Sequence, residues 1–98
     1  MNAAAEIAIP ESGMTKKLLI QATGARVMGF GFAAGHELKE HTAPADVLLH
    51  FLEGEAKVML AGEVTKVHAG DMVHIQARLP HSVRALTPLK MLLILLQN

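Results

Sequence analysis

From residue 47 onward the chain is a succession of short apolar runs cut by turn residues. Gly54, Gly62 and Gly70 recur every eight residues, and Pro80 and Pro88 fall close to the same rhythm. The runs between them, at 47–52, 56–60, 64–67, 72–76, 82–86 and 89–96, predict short strands of an antiparallel sandwich or barrel. The run LKMLLILL at 89–96 also has helical propensity, but Pro88 and the preceding rhythm favour a strand. Upstream, KKLLIQA at 16–22 reads as a strand and Thr23-Gly24 as a turn. RVMGFGF at 26–32 alternates at period two, with Met28, Phe30 and Phe32 on one side and Val27, Gly29 and Gly31 on the other. The bulky side is expected to face the interior. Glycine weakens a strand, so the other side implies a bend or close approach of backbone. Residues 35–44 read as a polar loop in which Pro44 biases Ala43 towards extended backbone. Residues 1–15, broken by Pro10 and Gly13, read as an arm, and 16–98 as a single domain.

Two runs are apolar on both faces. Val47, Leu49 and Phe51 stand opposite Leu48, His50 and Leu52, and Leu92, Ile94 and Leu96 opposite Met91, Leu93 and Leu95. A small sheet normally leaves one face to water. Something must cover the second face, and a chain of 98 residues has little surface to spare for a large apolar patch. The expected cover, beyond an opposing sheet, is a second copy in an isologous homodimer.

Composition narrows the function classes. Nine basic and nine acidic residues balance, so no electrostatic footprint points to nucleic acid or to an anionic membrane. The longest apolar run, 91–96, is far short of the ~20 residues of a membrane span. The first ten residues lack a basic start and contain Glu6, unlike a secretory signal, so a cytoplasmic location is expected. With no cysteine there is no disulfide framework, thiolate zinc site or thiol nucleophile. Tryptophan and tyrosine are absent, leaving aliphatic side chains and six methionines to fill the interior.

Two stretches carry a resemblance. GHELKEHTAPADVLLHFLEGEAKV, and about thirty residues later AGDMVHIQARLPHSVRAL, together resemble the two motifs of the cupin family over roughly residues 30–95. Gly35, His41, Gly54, Gly70, Asp71, Pro80 and His81 stand at matching positions. The resemblance implies an all-β double-stranded β-helix, a jelly-roll barrel, with His41 and His81 converging at one end. It also implies a divalent transition metal such as zinc, iron, manganese or nickel, normally held by four side chains. Here Ala43 stands where the family has its second histidine and Val47 where it has a carboxylate. Gln76 and Arg78 replace the usual proline and glycine of the second motif. His41 and His81 therefore remain as the metal-ligand candidates, and two imidazoles alone bind metal weakly. Asp46, His36, His50 and His74 are conceivable substitutes, although alternation turns Asp46 away from the face of Val47 and His50 outward.

The reading that follows is a small-molecule-binding cupin with an apolar barrel pocket, His41 and His81 at its mouth and a weak or incomplete metal site. Gln76 and Arg78 are candidate donors to a ligand carboxylate or hydroxyl. Phe32, Leu49 and Phe51 are candidate lining residues as well as core. The family also supplies metal-dependent dioxygenases, isomerases and decarboxylases, and dimerisation modules of regulators. These stand as alternatives.

Overall fold

The computed structural model describes residues 1–97; the end of the expected domain, at position 98, lies outside the described residues. Nine strands follow a four-residue helix, α1 (Ala3–Glu6), whose first turn is capped by the Asn2 side chain accepting from the Ala5 N–H. They are β1 (Met14–Ala22), β2 (Ala25–Phe32), β3 (Glu37–His41), β4 (Val47–Glu53) and β5 (Glu55–Leu60), then β6 (Glu63–His68), β7 (Met72–Ile75), β8 (His81–Ala85) and β9 (Leu89–Leu96). Every pairing is antiparallel. A five-stranded sheet in the order β1-β2-β9-β4-β7 faces a four-stranded sheet in the order β3-β8-β5-β6, with the chain passing repeatedly between them. This is the jelly roll that the strand rhythm and the resemblance implied. The β9 run is a strand, not a helix.

Alternation places the core as expected on the best-patterned strands. Val47, Leu49 and Phe51 point inward and are essentially sealed, while Leu48, His50 and Leu52 on the opposite face are half-buried. Phe30 and Phe32 pack edge to face with ring centroids 6.1 Å apart. Together with Leu89 and Met91 they meet Ala56, Val58, Val83 and Ala85 of the other sheet in one buried cluster. Small alanines facing large phenylalanines let the two sheets interdigitate.

One strand departs from the sequence expectation. Residues 37–41 lie in the stretch read as a polar loop, yet they form β3 at the edge of the four-stranded sheet. Of its five residues only Leu38 is partly buried, so the apolar signal that betrays a strand is missing. Charged side chains on the remaining positions suit an exposed edge.

The glycines of β2 have a specific use. Segment 7–8 of the arm crosses the outer face of the five-stranded sheet directly over Gly29 and Gly31. A Cβ at Gly29 would press on the Ile7 side chain, and one at Gly31 would run into the Ala8 carbonyl. Ile7 is 4% exposed there. Thr15 Oγ1 donates to the Ala8 carbonyl, Lys90 Nζ donates to the Ala4 carbonyl at 2.8 Å, and Lys17 pairs with Glu6 at 3.0 Å. The close approach expected from the glycine pattern is thus made by the chain's own arm. Gly31→Ala is expected to lift the arm and cost about 1–3 kcal/mol in urea unfolding. Removing residues 1–9 is expected to cost wild type a similar amount and the Gly31→Ala variant almost nothing further. Additive losses would show that the arm does not rest on that glycine.

Candidate functional site

β3 ends on His41 and β8 begins on His81, and the two are direct partners across the ladder. Forty residues of chain separate them; one antiparallel register joins them. Their ring centroids are 4.2 Å apart with the planes tilted by 60°. Each ring is tied to backbone two residues upstream, His41 Nδ1 to the Lys39 carbonyl and His81 Nδ1 to the Leu79 carbonyl, both at 2.8 Å. A carbonyl only accepts, so each Nδ1 carries the proton and donates. In the neutral rings each Nε2 is then a free acceptor. His41 is exposed, whereas His81 is 2% exposed and its Nε2 is buried with no hydrogen-bond partner.

Burial pushes the His81 pKa below the ordinary 6.5, and the neighbouring His41 adds to this by charge repulsion; the Leu79 carbonyl opposes it. The desolvation of a charged ring outweighs that hydrogen bond. His81 is therefore a neutral imidazole at pH 7.

Beside the pair lies a cleft of about 270 Å³ at the end of the barrel where β1 turns into β2 and where β3 and β9 finish. Its walls are Met28 and Phe30 of β2, Leu93 and Leu95 of β9, and Leu38 of β3. Met14, Lys16, Arg26 and His41 complete it. His41 is on the rim and His81 is tucked in behind it. Lys16 lies across the cleft wall with Nζ 5.9 Å from the Phe30 ring centroid. Arg26 is half-buried and its Nε has no partner.

The other residues singled out in the sequence take other places. Phe32, Leu49 and Phe51 are 0–1% exposed and fill the barrel beyond the cleft without lining it. Gln76 and Arg78 are exposed on the turn between β7 and β8. Arg78 lines a separate polar recess with Pro44, Ala45, Asp46 and Ala77. Its backbone has φ +66°, a left-handed conformation that favours glycine, which accounts for the family's glycine at this position.

None of the conceivable substitute ligands joins the pair. Asp46 is engaged on the outside of β4, where it accepts from His74 Nε2 at 2.8 Å and from the Ala77 N–H at 2.9 Å. The hydrogen bond from His74 first, and that from Ala77 second, hold its pKa below the usual carboxylate value. His36 packs edge to face on Phe32, and His50 lies on the outer face beside Leu92 and Met72. Among the described residues no group of three or more histidine, cysteine or acidic side chains is placed to hold a metal ion. Two imidazole acceptors do not fit the four-ligand centre the family commonly builds, nor the three-ligand minimum of a stable site.

Lys16, Arg26, Met14, Met28, Leu38, Leu93 and Leu95 were not singled out as site residues. The signal for Arg26 is in the alternation itself: it shares parity with Met28, Phe30 and Phe32, so it faces inward with them. Across the β1–β2 hairpin, Lys16 pairs with Phe30 and inherits the same face.

The chain matches the cupin domain model over residues 30–95 and belongs to that family. Among solved structures it is similar to a conserved protein of unknown function from Streptococcus pyogenes, with TM-score 0.91, 24% identity, and coverage of 100% of this chain and 86% of the other. A cupin superfamily protein from Desulfitobacterium hafniense DCB-2 gives TM-score 0.90 at 25% identity, covering 97% and 87%. A cupin 2 conserved barrel domain protein from Leptotrichia buccalis gives 0.89 at 30% identity, covering 96% of this chain but 46% of the other. No curated protein matches significantly. Among the described residues no helix is long and apolar enough to cross a membrane.

The buried ring gives a sign for pH dependence. The unfolded chain protonates His81 near 6.5, and the folded chain only at lower pH. Its contribution to stability is therefore intact above 6.5 and lost as pH falls from there through the depressed folded value. Urea midpoints are expected to fall across this window in wild type and to fall less in His81→Gln. Parallel profiles for the two proteins would place the proton uptake on another group.

Proposed function

We propose that this cupin is a small-molecule-binding protein whose ligand sits in the cleft bounded by Met28, Phe30, Leu38, Leu93 and Leu95, with the His41 imidazole at its rim and His81 buried behind it. The observation that carries this reading is the cleft itself. It is concave, apolar-walled and of a size that would admit roughly ten non-hydrogen atoms, with three polar side chains, Lys16, Arg26 and His41, on its border. His41, with Nδ1 held by the Lys39 carbonyl, turns the other side of its ring outward at that rim. Any divalent metal would be gripped only by the two imidazoles, and so weakly; a metal-dependent reaction is not part of this reading.

The methionines provide the test. Met14 and Met28 border the cleft, while Met91 is sealed in the core and Met72 stands on the outer face. With methyl-labelled methionine, benzamide is expected to shift the Met14 and Met28 signals selectively and saturably. Leu38→Trp, which fills the cleft, is expected to abolish the shifts. Uniform or absent shifts would remove the binding reading.

A second part of the reading is a homodimer formed through the outer face of the five-stranded sheet. Its support is the row of half-buried apolar side chains Leu48, Leu52, Leu92 and Ile94 on that face. Light scattering at micromolar concentration is expected to give a dimer mass, and Ile94→Glu a monomer with unchanged circular dichroism. A monomeric wild type would overturn it.

A further inference from the structure

Among the described residues the cleft carries two cations and no acidic side chain. Lys16 of β1 and Arg26 of β2 both line it. Neither takes part in a salt bridge among the described residues. Arg26 is the more telling of the two. A guanidinium on a surface strand is ordinarily hydrated at every N–H. This one is half-buried against Leu95, its cross-strand partner, and its Nε is shut off from both solvent and protein acceptors. Leaving a buried donor unpaired is costly, and removing the charge would be easier than keeping it.

We propose that Arg26 is the anchor for a carboxylate and that the ligand of this cleft is a small monocarboxylic acid with an aromatic or branched apolar body. This rests on the reading of the cleft as a binding site. The two terminal guanidinium nitrogens, which have no protein partner among the described residues and are not enclosed as Nε is, can meet a carboxylate with two parallel N–H···O bonds. Lys16 supplies the second positive charge. The apolar body lies along Met28, Phe30 and Leu93, where nothing rewards a second polar group. A phosphate dianion fits less well, because two cations in an apolar slot leave most of its oxygens without donors. The volume of about 270 Å³ equals that of about nine waters, the bulk of a single ring with one substituent.

The test compares three probes that share a phenyl ring: benzoate, benzamide and phenyl phosphate, read by the Met14 and Met28 methyl shifts at low ionic strength. Benzoate is expected to bind at least tenfold more tightly than benzamide, and phenyl phosphate no better than benzamide. Arg26→Leu is expected to bring the benzoate-to-benzamide affinity ratio from at least ten to about one. Arg26→Lys, a point charge without the fork, is expected to keep only part of that ratio. Unchanged circular dichroism shows that each variant is folded. Equal binding of benzoate and benzamide would overturn the carboxylate assignment and leave the cleft as a binding site. Loss of all three probes in wild type would overturn both. Tightest binding by phenyl phosphate would reassign the anion.

Discussion

The structure depends on the packing of the inward row of β2, β9 and β4 against the smaller side chains of β5 and β8. Phe32, Phe51, Leu89 and Met91 are fully sealed, and each large apolar side chain buried this way contributes about 1.5–3 kcal/mol. In a barrel of this size those few side chains occupy the whole cross-section, so this end is solid. Towards the other end the same rows continue with Met28 and Arg26 on β2 and with Leu93 and Leu95 on β9. Arg26, at the end of the inward row, keeps its charge and is only half-buried, and Lys16, across the ladder from Phe30, is exposed. Phe30, Met28 and Arg26 on β2 line the cleft in turn, beside the solid filling.

That constraint also explains what was legible in the sequence. The strands β2, β4 and β9 announce themselves because their inward positions are large and apolar, and β4 and β9 because both faces are. β3 does not, because an edge strand with Glu37, Lys39 and Glu40 turned to solvent has no periodic apolar row to read. The meeting of His41 with His81 depends on β3 lying beside β8, a long-range pairing no local pattern encodes. Only the resemblance of the two motifs to a known barrel indicated it. Arg26 was legible in principle by parity alone. Charge at its position suggests a strand end in solvent, and only the folded sheet shows the donor enclosed. Gln76 and Arg78 sit five and three residues before His81, but the turn that delivers His81 to the interior carries both of them outside.

The two polar sides of the cleft are of opposite character. Both imidazoles spend their protons on their own backbone, which fixes ring orientation and leaves acceptors at Nε2. Arg26 and Lys16 are donors only. A neutral imidazole repels a carboxylate's lone pairs and welcomes a hydroxyl or amide proton. Opposed acceptor and donor groups around an apolar slot would give a molecule bound as proposed a direction: its anionic end towards β1 and β2, any hydrogen-bond donor towards His41. Among the described residues no third metal-ligating side chain joins the pair. Val47, at the family's carboxylate position, is sealed in the core, and Ala43 follows His41 just past the end of β3.

β9 ties the site to the rest of the molecule. Period-two alternation puts Leu93 and Leu95 on the cleft wall and Leu92 and Ile94, one residue away, on the outer face proposed for the second copy. Backbone in a sheet cannot shift one face without the other, because a strand paired on both sides by β2 and β4 moves as part of its ladder. A partner pressed on Leu92 and Ile94 would therefore stiffen the wall that contacts the ligand. Contacts that hold Leu93 and Leu95 in place would favour the same strand position from inside. The arm acts on the neighbouring strand in the same way, since Ile7 bears on Gly29 from outside while Met28 and Phe30 face the cleft from within. In so thin a shell every lining residue has an outward neighbour. The outward apolar cover and the inward binding surface are two sides of one strand.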